Sequence, residues 1–273
     1  MMKASLPELI EIAARHGFRR ITARPLAFAA ALEAGFTEKA LRRRLADASI
    51  QVTMIDGLTR GLPGVPPVET IDPATRAALP ADALNPADEE TCFRAAEALE
   101  AGVVNLIHYR GQRLPLEEMA EAVGKICRRA SARGLQMALE FVAGTGLPNL
   151  PFAQAVTEAC GEPNCALTLD FCHLDRSGGT VEDVRRLPPG AIANIQISDH
   201  MPQPPGSVYV PMSGRLMPGE GMLPLRELME AALANSPNAT ADIEVLNAEL
   251  RDLPMDEVAA RMAAALQTWR ATL

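Results

Sequence analysis

Four oxygen-bearing residues sit at or near the ends of four apolar, strand-like runs. They are Glu140 in MALEF (137–141), Asp170 in LTLDFCHL (167–174), Gln196 in IQISDH (195–200) and Glu244 in DIEVL (242–246). The spacing is 30 residues from Glu140 to Asp170, 26 on to Gln196 and 48 on to Glu244. Oxygens gathered at neighbouring strand ends repel one another unless a cation lies among them, so the pattern predicts a site for one divalent metal ion. The all-oxygen set favours Mn²⁺ or Mg²⁺, with Co²⁺ and Zn²⁺ as further options. Any one of these residues alone has a plainer use as a helix cap, an ion-pair partner or a hydrogen-bonding rim residue. Recurrence at four successive ends is what points to a metal.

Bringing such residues together takes a regular alternation of strands and helices. Helical spacing runs over 5–17, and FRRITARP at 18–25 reads as a strand ending before Pro25. One or two helices follow to residue 48, then the strand IQVTMIDGL at 50–58. From residue 88 the order is helix 88–101, strand 103–109, helix 115–133, strand 135–141, helix 151–160 and strand 165–171. It continues with helix 180–187, strand 191–198, helix 222–235, strand 239–246 and helix 254–271. Seven strands separated by helices imply right-handed βαβ units and a parallel sheet. A closed barrel needs eight strands, and only MMKAS is left where the first should be. The prediction is an α/β fold, a TIM (β/α)₈-type barrel with its first strand short or missing, in one domain over 1–273. An open barrel edge would call for a covering segment or a homodimer partner. The segment 59–87, with prolines at 63, 66, 67, 73, 80 and 86, reads as a long loop, either a lid or a surface insertion. No strand is followed by a glycine-rich phosphate loop, which argues against a nucleotide-binding sheet.

The net charge of −8 and pI near 5.2 repel phosphate backbones and anionic membranes, so neither nucleic acid nor a membrane surface is expected as a partner. Five cysteines, at 92, 127, 160, 165 and 172, show no CxxC spacing, and the start of the chain lacks the layout of a signal peptide. Buried free thiols in the cytoplasm follow from this reading. The pair Cys160 and Cys165 spans an expected helix-to-strand turn and reads as thiols rather than as a metal pair. No apolar run reaches the roughly 18–20 residues of a membrane span.

The ligand pattern, together with the DxxH pair Asp170 and His173 and the stretch GRLMPGEG at 214–221, resembles the xylose-isomerase-like TIM barrels. The resemblance runs from about residue 5 to 270 and is strongest over 137–246. It implies a metal held by Glu140, Asp170, Gln196 and Glu244. It also implies isomerase or epimerase action on a small sugar, sugar phosphate or related hydroxy-ketone, through an enediolate that the metal stabilises. Glu140 and Glu244 would be ligands and also the acid/base pair on opposite faces of the substrate. His173 would shuttle a proton or bind substrate, and Arg215 would bind substrate oxygens; the plainer use of Arg215 is an ion pair with Glu220. His108, Arg24 and Asp56 are further pocket candidates.

Most members carry histidine where this chain has Gln196. A branch that includes 3-dehydroshikimate dehydratases carries glutamine, so a metal-dependent dehydratase, a lyase, is the alternative enzyme. A non-catalytic barrel that binds a carbohydrate or a partner protein is the third reading. Alternation puts Gln196 and Ser198 on one strand face and Ile195, Ile197 and Asp199 on the other, so His200 is not taken as the ligand. His16 reads as a helix-end residue. The multi-metal endonuclease of this fold needs more histidines than the four here.

Overall fold

The computed structural model describes residues 4–65, 67–71, 84–108, 111–202 and 214–271. Seven strands pair in parallel in chain order: β1 (Arg20–Ala23), β2 (Gln51–Leu58), β3 (Val103–Ile107), β4 (Gln136–Glu140), β5 (Cys165–Asp170), β6 (Ile192–Ile197) and β7 (Thr240–Ile243). The helices between and around them are α1 (Leu6–Arg15), α2 (Pro25–Glu33), α3 (Glu38–Ala48), α4 (Glu89–Leu99), α5 (Leu116–Ser131), α6 (Leu150–Cys160), α7 (Phe171–Arg176), α8 (Val181–Arg185), α9 (Leu225–Asn235) and α10 (Met255–Arg270). The sheet curls into a TIM-type barrel until β1 and β7 lie side by side. Across that seam the Thr22 hydroxyl donates to Asp242 Oδ2 at 3.1 Å. A side-chain bond thus spans the place where a backbone ladder would close the ring.

Among the described residues no strand precedes α1. Instead Ser5 caps that helix: its Oγ accepts the Glu8 N–H at 3.4 Å while Glu8 Oε2 accepts the Ser5 N–H at 2.9 Å. Residues 1–3 of MMKAS lie outside the described residues, as do 66 and 72–83 of the 59–87 loop. Within the described part of that loop, the Gln112 N–H donates to the Gly64 carbonyl at 3.2 Å. This bond ties the loop to the chain leaving β3.

Strand alternation divides the chain into two environments. Val104, Leu106, Met137, Leu139, Leu167, Leu169, Ile195 and Ile197 face the helices and join one continuous core with Met119, Val123 and Ile126 of α5. Each such side chain contributes about 1.5–3 kcal/mol by leaving water. The opposite positions face the barrel axis. At its base Ala138, Ala166 and Ala193 form a small apolar cluster with Val103 packed against it. A register shift between β5 and β6, where Leu167 pairs with Ile192 but Thr168 with Asn194, turns Ala193 into this layer. Above the alanines the axis becomes polar, and Asn105, Thr168, Asn194 and Asp242 bring the layer up to the site.

Two local expectations are corrected. LTLDFCHL does not continue as a strand past Asp170, because the Asp170 carboxylate accepts the His173 N–H at 2.8 Å and caps α7 over 171–176. Phe171, Cys172 and Leu174 are all buried, so the turn of helix has the all-apolar look of a buried strand. Helix 222–235 begins only at Leu225, because the N–H groups just before it are bound by Asp199. The five cysteines are free; Cys127, Cys160 and Cys165 lie near one another where β5 begins, at the end of the barrel away from the site, and the Cys160 thiol donates to the Thr157 carbonyl at 3.2 Å. No helix among the described residues is long and apolar enough to cross a membrane.

Candidate metal centre

Glu140 and Asp170 are the last residues of β4 and β5, Gln196 is the last but one of β6, and Glu244 follows β7 directly. Asp170 and Gln196 are register partners, so their side chains leave adjacent strands at one level. The Glu244 N–H donates to the Ile197 carbonyl at 3.0 Å, which holds this residue beside β6 although the strand has ended. Glu140, Asp170 and His173 each bring one ligand atom within 4.8 Å of the others. All three are buried.

The hydrogen bonds order these side chains tightly. Glu140 Oε2 accepts from Asn105 Nδ2 at 2.6 Å, and the same amide donates to Asp56 Oδ1 at 2.8 Å. Asn105 Oδ1 in turn accepts the Thr168 hydroxyl at 2.8 Å. Asp170 Oδ2 and Glu244 Oε2 each accept from Arg215 Nη1 at 2.6 Å. Arg215 Nη2 lies 3.1 Å from His173 Nε2. A guanidinium only donates, so Nε2 accepts and the His173 proton sits on Nδ1. Burial pushes the His173 imidazole down to about 4, so it is neutral at ordinary pH.

The carboxyls diverge in their protonation. Burial raises Glu140 well above the usual range, and repulsion from Glu244, Asp56 and Asp170 adds to it. Burial likewise lifts Glu244 to about 8, opposed by the Arg215 charge. Asp56 is raised by burial, with Asn105, Arg215 and Arg24 pulling it back. Asp170 feels the same burial, yet Arg215, His173 and the capped N–H bring it below the ordinary value. Five carboxyls thus crowd together, Glu140 and Asp170 buried and Asp56, Asp242 and Glu244 partly buried, with Arg215 acting on Asp56, Asp170 and Glu244 and Arg24 on Asp56. Gln196 is 1% exposed and its Oε1 has no hydrogen-bond partner among the described residues. Crowded carboxyls whose ionisation burial opposes, and an amide oxygen beside Asp170 left without a donor among the described residues, are what a divalent cation would relieve, so these residues suit one.

A family model described as a xylose isomerase-like TIM barrel matches residues 10–269. The chain belongs to the xylose isomerase-like TIM barrel family. Within the family, its fold is similar to that of the IolI protein solved with a bound zinc atom, with a TM-score of 0.77 at 16% identity over 98% of this chain and 92% of the other. The probable 3-DHS dehydratase AsbF of Bacillus anthracis gives a TM-score of 0.73 at 17% identity over 97% and 94% of the two chains. The D-psicose 3-epimerase of Clostridium cellulolyticum H10 gives 0.68 at 14% identity over 98% and 94%. In sequence, an inosose isomerase of Halalkalibacterium halodurans is 25% identical over 130 residues, or 47% of this chain. That match spans 45% of the relative's length, so less than half of the curated protein is covered.

The remaining candidates of this xylose isomerase-like barrel fall in different places. Arg215 is 3% exposed and inside the acid cluster, so it makes no surface pair with Glu220, whose carboxylate instead accepts the Met217 N–H at 3.1 Å. Asp56 and Arg24 lie near enough for their charges to act on each other, and Arg24 also begins α2 as its N-cap. His108 is set back: Nε2 lies 2.8 Å from the Pro63 carbonyl, and its ring fills the space that a Cβ on Gly111 or Gly146 would need. His200 turns away from the ligands, with Nδ1 2.8 Å from the Met201 carbonyl and Nε2 3.0 Å from Asp175. His16 pairs with Asp256 at 3.1 Å and ties α1 to α10.

Two residues that order the cluster by hydrogen bonds had no clear sequence signal. Asn105 lies mid-strand in VVNLI, where a lone amide on the inward face was the only hint. Asp199 is the other. Its Oδ1 accepts the N–H groups of His200 and Leu223 at 2.9 and 3.0 Å, and its Oδ2 those of Gly219 and Gly221 at 3.2 and 2.9 Å. A Cβ on Gly221 would meet Asp199 Oδ1 at 2.3 Å, so this approach needs glycine. The Asp199 and Leu216 backbones also bond each other in both directions, and this strap presents Arg215 to the site.

Below the site, Asp242 accepts from Asn194 Nδ2 at 2.7 Å and from Thr22, while burial raises its carboxyl from the ordinary 3.8 to about 7. Between those values the folded protein holds a proton that the unfolded chain has released, so this group makes stability fall as pH rises from about 4 to 7 and level off above. Asp242→Asn keeps an acceptor for Asn194 and removes the ionisation. Thermal melts of metal-free protein at pH 5 and pH 8 are expected to differ less for the variant than for the wild type. An unchanged difference would remove Asp242 as its source.

Proposed function

We propose that this protein is a divalent-metal-dependent isomerase or epimerase acting on a small sugar, sugar phosphate or related hydroxy-ketone. The observation that carries this reading is the pair Glu140 and Glu244. Both stand at the barrel mouth, on β4 and just past β7, and burial raises both carboxyls above the ordinary glutamate range, while Asp170 is held below its ordinary value. The inosose isomerase similarity and the family support the same class of reaction. Glu140, Asp170, Gln196 and Glu244 hold the ion, Mn²⁺ or Mg²⁺ by ligand type, with Co²⁺ and Zn²⁺ also compatible. Bound there, it supplies Lewis-acid polarisation of a substrate carbonyl.

Glu140 removes a proton from the carbon beside that carbonyl, and Glu244 returns one from the opposite face. Return to the same carbon inverts it, whereas delivery to the neighbouring carbon interconverts ketose and aldose. Neutral His173, whose Nε2 lies 3.6 Å from Glu140 Oε1, takes up a proton there once the Arg215 guanidinium has left that nitrogen, and otherwise binds substrate. Asn105 keeps Glu140 aimed, and the strap around Asp199 keeps Arg215 in place for substrate oxygens. Expulsion of a β-hydroxyl after the same proton removal would be dehydration, a reading favoured by Gln196 standing where most members of the family carry histidine.

NMR of a polyol and hydroxy-ketone panel in D₂O separates these outcomes. Deuterium incorporation without loss of water supports the isomerase or epimerase, and loss of water supports the dehydratase. Neither event over the whole panel, with no Mn²⁺-dependent thermal shift, would leave a binding barrel instead. The Gln196 assignment has its own check. Gln196→His replaces a neutral amide by imidazole, a better donor for Mn²⁺ or Zn²⁺, and calorimetry should show about tenfold tighter binding. Unchanged affinity would take Gln196 out of the ligand set.

A further inference from the structure

Arg215 is the most heavily engaged side chain in the centre. Its Nη1 lies 2.6 Å from both Asp170 Oδ2 and Glu244 Oε2, with the Glu244 carbonyl at 3.1 Å and the Ser198 hydroxyl at 3.4 Å. One Nη nitrogen has two hydrogens, so the two carboxylates take both. The Asp170 carboxylate is then bound at each oxygen, Oδ1 by the His173 N–H and Oδ2 by the guanidinium. Any cation approaching Asp170 meets a positive charge already seated on it, in an interior where like charges interact strongly. The backbone of Arg215 is fixed independently: its N–H donates to the Leu246 carbonyl at 3.2 Å, and its carbonyl accepts from Asn247 Nδ2 at 2.9 Å. Only the side chain is left to yield.

We propose that Arg215 is an internal counter-cation that competes with the divalent ion for Asp170 and Glu244, so that metal uptake requires its guanidinium to leave at least one of them. This rests on the metal reading above. In the metal-free protein Arg215 offsets the acids that burial leaves under-compensated. Gln196, whose Oε1 has no donor bound to it among the described residues, gives the incoming ion one oxygen that Arg215 does not contest.

The test is calorimetric titration of Mn²⁺ into metal-stripped wild type, Arg215→Gln and Arg215→Lys. The glutamine variant should bind about tenfold or more tightly, in the usual range of coupling between two sites. The lysine variant, which keeps a point charge but not the fork, should fall between. Equal or weaker binding by Arg215→Gln would overturn the proposal and show a guanidinium that supports the ligands, with the metal site itself still standing. Absence of Mn²⁺ binding in all three proteins would remove the metal reading and the proposal together. Should Arg215→Gln fail to fold, Arg215→Lys decides: tighter binding than wild type supports the competition, and unchanged or weaker binding rejects it.

Discussion

Glu140→Gln is expected to lower turnover by about 10³-fold or more while leaving the fold intact, because it deletes a proton acceptor without changing shape. Gln keeps an oxygen to accept from Asn105, whose 2.6 Å bond is the main local anchor of this side chain. It also removes a buried ionisable group. The Glu140 carboxyl is raised in the folded protein, so between the ordinary value near 4.5 and its folded value the native state holds a proton that the unfolded chain has lost. Wild-type stability therefore declines as pH climbs through that window, and the variant escapes this part of the decline. Metal-stripped Glu140→Gln should melt at or above the wild-type temperature at pH 8. Its exchange of substrate protons with D₂O should be nearly abolished, on whichever compound the wild type processes. Exchange within tenfold of wild type would show that Glu140 is not the base.

Asp199→Asn is expected to cost about 3 kcal/mol of stability and to loosen the segment that carries Arg215, although Asp199 touches neither Glu140 nor Asp170. A carboxylate accepts at both oxygens, and all four N–H groups it binds are satisfied only on that condition. An asparagine presents one oxygen and one NH₂. If the oxygen keeps His200 and Leu223, the amide nitrogen faces the N–H groups of Gly219 and Gly221, donor against donor. Hydrogen exchange followed by mass spectrometry should then show lost protection over residues 214–223, with α5 and α6 unaffected. Retained protection there would mean that the Leu216 bridge and the Arg215 backbone bonds hold the strap without Asp199.

These two residues also mark how far the sequence could be read. Glu140 was legible because MALEF is a short apolar run with an acid at its end, and the same signature recurs at Asp170, Gln196 and Glu244. Asp199 was placed on the face away from Gln196, which the alternation allows, but nothing in SDH announces a carboxylate that gathers four backbone N–H groups from 1 to 24 residues away. Asp170 was read as a strand-end ligand, whereas its second use, as the cap that starts α7, was hidden by the apolar residues 171–174.

By itself, the sequence determined the alternating strands and helices, the absence of a full first strand among the described residues, and the four oxygen-bearing strand ends. These follow from periods of two and of about 3.6 residues, which local backbone geometry writes into any stretch with one buried face. Only the tertiary structure decided that Arg215 lies between Asp170 and Glu244, 45 and 29 residues away in the chain. It alone paired His200 with Asp175, placed His173 between Glu140 and Arg215, and set the carboxyl protonation states. Contacts of that kind depend on where irregular loops return over the barrel mouth and on how much water is excluded there. Neither leaves a periodic trace in the order of residues.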